Sequence, residues 1–180
     1  MADFDVFANQ LLEEAKRFLE KAKESRDSVA EAAYLHAALM LSFCALEAQV
    51  NSIGEEFSIR GDLSAHEKGI LLERAVSLEN GEFQLQAGLK MARLEERIEL
   101  LHAKFSAKPI DKSETWWSQL GKAINLRNHL THPKIIPIVT ESATRDAIQS
   151  IIDAIDALYR SIYKKKFPAV GQGLNSRLAF

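Results

Sequence analysis

The chain has 180 residues and a formal net charge of -2, with 23 basic against 25 acidic side chains. That length suits one domain with a substantial core. The near balance of charge excludes a protein that holds nucleic acid through its overall field, so any such contact has to come from a local patch. A lone cysteine, Cys44, excludes a disulfide within the chain, and its place in the apolar run AALMLSFCALEAQV predicts a buried thiol in a reducing compartment.

The start, MADFDVFANQ, carries acidic residues and no basic region, which argues against a secretory or transit peptide. The longest apolar run is broken by Ser42 and ends at Glu47, short of the roughly 20 residues that span a bilayer. A soluble, cytoplasmic protein with no membrane contact is therefore expected.

Helical periodicity dominates, with Gly and Pro as punctuation. From Phe4, the positions Phe7, Leu11, Leu12, Ala15, Phe18, Leu19 and Ala22 recur on one face and predict an amphipathic first helix. Ser28 with Glu31 forms a capping-box pattern that launches a second helix to about Ile53. This helix is apolar nearly all round from Ala32 to Val50, so it belongs at the centre of a bundle. Ser64 with Glu67 repeats the pattern before a shorter helix ending near Leu78. In SLENGEFQLQAG, Asn80-Gly81 marks a turn and EFQLQ a short extended piece.

The next helix starts at Leu89, with Leu89, Met91, Leu94, Ile98, Leu101 and Phe105 facing inward and Arg97 on a solvated face. Ser113 caps another, which must stop by Pro133 because the residue before a proline avoids helical geometry. Thr140 or Glu141 opens the last long helix, with Ile148, Ile151, Ile155 and Leu158 on its inner stripe. No run reads as a confident sheet. The expected fold class is all-α, an antiparallel helical bundle of about five or six helices with one irregular insertion. The domain covers residues 1–163, and 164–180 forms a basic, flexible tail.

No Gly-rich phosphate loop, nucleophile elbow or Cys-based metal spacing is present, and neither a cofactor nor a metal is expected. His129 and His132 have no acidic or thiolate ligand within a few residues of them. The stretch INLRNHLTHPKIIP stands apart: Asn128 follows Arg127, Leu126 and Leu130 frame the pair, His132 follows NHLT, and a long helix comes next.

This stretch resembles the signature of the HEPN superfamily, in which an Arg is followed after four to six residues by a His. Arg60 to His66 and Arg97 to His102 match the same spacing, but only LRNHLTHP also has the polar residue after the Arg, the apolar frame and the place before the last helix. The second helix, with ALEAQVN, also looks like helices of several HEPN families and carries Glu47 and Asn51 over as accessory residues.

The resemblance implies an HEPN-like bundle and metal-independent endoribonuclease activity in a homodimer, whose two motifs line one cleft. His132 would act as general base or acid, Arg127 would bind the scissile phosphate, and Asn128 would position substrate or orient a neighbouring side chain. His129 and Thr131 would be accessories, and Lys164, Lys165 and Lys166, which also complement the last helix dipole, would contact RNA. The products would be a 2',3'-cyclic phosphate and a 5'-hydroxyl. The implied partners are an RNA substrate, a second copy and a protein antitoxin or regulator, in a toxin-antitoxin or phage-defence setting. The rival reading is a non-catalytic helical module that dimerises and binds a protein or nucleotide.

Overall fold

The segments with the strongest helical period become the longest helices. In the computed structural model, which describes residues 4–180, α1 spans Phe4–Glu24 and α2 Ser28–Phe57. A short α3, Ala65–Leu71, leads into strands β1, Arg74–Glu79, and β2, Glu82–Leu89. Then come α4, Leu94–Ser106, α5, Thr115–Thr131, and α6, Glu141–Tyr163, followed by a 3-10 turn over Pro168–Gln172. The fold is a helical bundle with one small antiparallel hairpin added. Met1 to Asp3, on which part of the reading of the N-terminus rests, lie outside the described residues.

The bundle is organised around α2. Leu39, Leu46, Val50 and Ile53 are fully buried, and they join Leu12 and Leu19 of α1 with Ile148, Ile151 and Leu158 of α6 in one core. By length and composition alone α2 could cross a membrane. Here it is the shared surface on which α1 and α6 pack, with α3, α4 and α5 also touching it. Part of its apolar circumference is thus taken up by other helices.

Several helix caps follow the sequence, and those of α2 and α5 do not. Ser64 and Glu67 form a full capping box on α3, and the Thr140 hydroxyl accepts the Ala143 N–H at the start of α6. At α2, however, the cap is Asp27, whose carboxylate accepts the N–H groups of Val29 and Ala30. A carboxylate at the positive end of a helix outcompetes a hydroxyl one residue later. Ser113 likewise yields to Glu114 as the first residue before α5, because its N–H and hydroxyl both donate to Asp111.

The all-helical expectation fails between Leu72 and Arg93. The helix expected to reach Leu78 stops at Leu71, and Glu73 takes a left-handed φ of 52°. Val76, Ser77, Leu78 and Glu79 then pair with Leu85, Gln84, Phe83 and Glu82. The anticipated turn is there: Asn80 and Gly81 have φ of 52° and 87°, the conformation that two-residue hairpins demand. Because β2 runs on to Leu89, α4 begins only at Leu94, and Leu89 and Met91 are exposed rather than inward-facing.

The hairpin is held close to the bundle at Gly69, where a Cβ would lie 2.9 Å from the Arg74 carbonyl oxygen and 2.7 Å from a Val76 methyl carbon.

Two further expectations change. Cys44 is exposed on α2, not buried; partial desolvation and the nearby Glu47 charge raise its thiol pKa, which leaves it a weak nucleophile. The tail after Lys166 is docked rather than free. Phe167 and Ala169 are buried, the Ser176 and Arg177 N–H groups donate to Glu20 and Glu13, and the Phe180 ring meets Phe18 edge-on.

Replacing Ile151 with Ala is expected to cost about 2–5 kcal/mol in urea denaturation, the usual loss for a fully buried aliphatic. Gly69→Ala is expected to cost about 1–3 kcal/mol, since the backbone oxygen of Arg74 has to move. Hydrogen exchange should localise that loss to the hairpin.

Candidate functional site

Helical geometry brings Arg127 and Asn128 of the motif to a cleft. On α5, Ile124 is buried, and Arg127 and Asn128 stand three and four residues further on, on the same face. Glu47 and Asn51 are one turn apart on α2 and point to the same space. With Leu94 and Arg97 of α4, Glu73 before β1 and residues 91–93, they line a polar cleft of about 430 Å³.

The Arg127 guanidinium lies 3.3 Å from a Glu47 carboxylate oxygen and sits 5.0 Å from the centre of the Phe43 ring. Glu47 is therefore a partner of Arg127, as its position within an apolar helix suggested, but its side chain is 44% exposed and not buried. Such a pair contributes at most about 1 kcal/mol. A phosphate arriving at Arg127 would have little attraction to overcome.

Arg97 corrects the sequence reading outright. It is 3% exposed, not solvated. Its Nη2 donates to the Asn51 side-chain oxygen at 2.5 Å and to the Leu71 carbonyl at 2.8 Å, while Nη1 lies 3.5 Å from Glu73. Glu73 also accepts the Ala92 N–H. Burial pulls the Arg97 pKa down, and the charges of Glu73 and Glu47 oppose that pull. A guanidinium nevertheless stays charged at neutral pH. The sequence carried the clue: Arg97 lies three residues after Leu94 and four before Leu101, on the same stripe as two core leucines.

His132 is not among the residues lining this cleft. It is the C-cap of α5, with φ -131° and ψ 61°, and its N–H donates to the Asn128 carbonyl at 2.9 Å. The side chain is exposed, one turn beyond Asn128. The Thr131 hydroxyl is engaged with the Arg127 carbonyl at 3.1 Å, and His129 is exposed outside the cleft.

The three lysines are remote. Lys164 donates to Ser161 at 2.7 Å and to Phe105 at 3.5 Å, so it caps the end of α6 beside the far end of α4. Phe105 and Leu94 are separated by roughly 17 Å along the α4 axis. Lys165 and Lys166 are exposed at the same end.

Three carboxylates, Glu47, Glu73 and Glu95, and three guanidinium groups, Arg93, Arg97 and Arg127, leave the cleft balanced in charge. Among the described residues no group of three His, Cys, Asp or Glu side chains converges as a metal site would require. Sequence reasoning missed Glu73 and Arg93, because the chain reversal that places them is set by the hairpin. No family model, curated protein or solved structure significantly matches this chain.

The two arginines are expected to behave differently on mutation. Arg97→Met strands Glu73 and should cost about 3–5 kcal/mol, as does breaking a buried ion pair from one side. Glu47→Gln, acting on the exposed pair, should change stability by less than about 1 kcal/mol. Guanidinium denaturation of both variants checks the contrast.

Proposed function

We propose that this chain is a metal-independent endoribonuclease of HEPN type that works as a homodimer in the cytoplasm. The observation that carries the reading is the end of α5, where Arg127 and Asn128 border the cleft and an exposed His132 follows one turn later. All three remain accessible to a substrate strand at the surface.

The chemistry assigns the parts. Attack by a ribose 2'-hydroxyl on the adjacent phosphorus needs a base for that hydroxyl and an acid for the departing 5'-oxygen. It also needs positive charge beside the phosphorane, which Arg127 supplies once it turns from Glu47. The bond from phosphorus to the 5'-oxygen breaks, leaving a 2',3'-cyclic phosphate and a 5'-hydroxyl. One histidine cannot serve as base and acid in the same step, so the copy of His132 from a second chain takes the other role. Asn128 orients the phosphate, and a protein antitoxin or regulator would act by covering this end of α5.

A non-catalytic module that binds a protein or nucleotide is the second reading. It is favoured by one observation: Arg127 is already paired with Glu47 and stacked over Phe43, as a structural arginine would be.

The deciding measurement is cleavage of a labelled RNA in chelator by the wild type and by His132→Ala. Cleavage is expected to persist in chelator and to fall by about 10²–10⁴-fold in the variant, the range for loss of a general acid or base. Activity abolished by chelation, or equal in the variant, would remove the mechanism.

A further inference from the structure

The linker between α5 and α6 presents an apolar free surface. Ile135, Ile136 and Ile138 are 80%, 93% and 85% exposed, while Val139 alone turns inward. One exposed isoleucine needs no explanation. Three within four positions form the kind of patch that marks an interaction site. No backbone N–H of residues 134–140 finds an acceptor within the described chain. Pro133 and Pro137 restrict the residues before them to extended geometry and stiffen the segment.

We propose that this linker is the centre of a two-fold interface, packing against its own counterpart in a second copy of the chain. A two-fold contact has to be complementary to itself. An apolar ridge meets that condition, and Lys134 is the one charged side chain among residues 133–139. A different protein recognised through charge would find almost nothing to read here. The three isoleucines present on the order of 400 Å² of apolar surface, about half of the roughly 800 Å² that each partner contributes to a stable interface. Thr131, His132 and Lys134, exposed around them, supply the polar rim. Stiffening by the prolines reduces the entropy lost on association.

The position matters as much as the composition. Ile135 lies three residues after His132. A second copy seated on the ridge therefore sits beside the motif and can bring the second histidine that the cleavage step requires. That consequence rests on the nuclease reading, whereas the surface rests on exposure and self-complementarity.

The test is sedimentation of the full chain, wild type, Ile136→Lys and the double variant Ile135→Ser with Ile138→Ser, at matched micromolar concentrations. Because these side chains touch little of their own chain, circular dichroism and thermal melting should show both variants folded. The wild type is expected to be a dimer, and both variants should associate at least about 30-fold more weakly, the effect of removing an interface hot spot. A monomeric wild type, or folded variants that dimerise like it, overturns the interface. RNA cleavage by the same preparations separates the two proposals. Loss of the dimer with no cleavage by any protein upholds the surface and discards the nuclease. A dimer unaffected by the substitutions, with cleavage that depends on His132, discards the surface and keeps the nuclease.

Discussion

One buried guanidinium joins the parts of this molecule that the apolar core does not. Arg97 reaches from α4 to Asn51 on α2, to the last carbonyl of α3 and to the carboxylate that precedes β1. A charge with this little exposure is tolerable only when paired and hydrogen-bonded. The hairpin has few packing contacts of its own, and an isolated hairpin is marginal in water. Its entry is fixed instead by this electrostatic tie and by the tight approach at Gly69. The same tie sets the rear wall of the cleft.

The bundle itself rests on α2, whose apolar residues face helices in several directions. The polar interruptions of that apolar surface are used. Ser42 satisfies its hydroxyl on the Leu39 carbonyl inside the helix. Glu47 and Asn51, one turn apart, open the polar cleft against α4 and α5. The division of labour between α2's faces is thus written as a few polar positions in an otherwise apolar run.

Much of the helical framework is legible because period and caps agree: Leu11, Leu19 and Ala22, the Ser64 box, and the Thr140 start all lie where a 3.6-residue repeat puts them. The hairpin is not, since Val76 and Leu78 extend an apolar pattern that also fits a helix. What ends α3 is a left-handed Glu73, which no local composition announces. A helix carried through to Leu78 places α4 too early and leaves the role of Arg97 out of sight. At the cleft, Arg127, Asn128, Glu47 and Asn51 stand out in the sequence through the resemblance of their motifs, and Glu47 also as a carboxylate within an apolar helix. Their convergence with Glu73 and Arg93 depends on long-range geometry. His132 and the three lysines show the converse: adjacency in sequence or shared charge does not put a side chain in the cleft.

The Arg97 contact has a directional consequence. A guanidinium has donors and no acceptor, so the side-chain amide of Asn51 has to turn its oxygen toward Arg97. Its NH₂ group is then left with no acceptor among the described residues, at the wall of the cleft. The polarity of that wall is therefore decided by a residue that solvent scarcely reaches. The Arg97 bond thus fixes which end of the Asn51 amide is committed and which is left to donate.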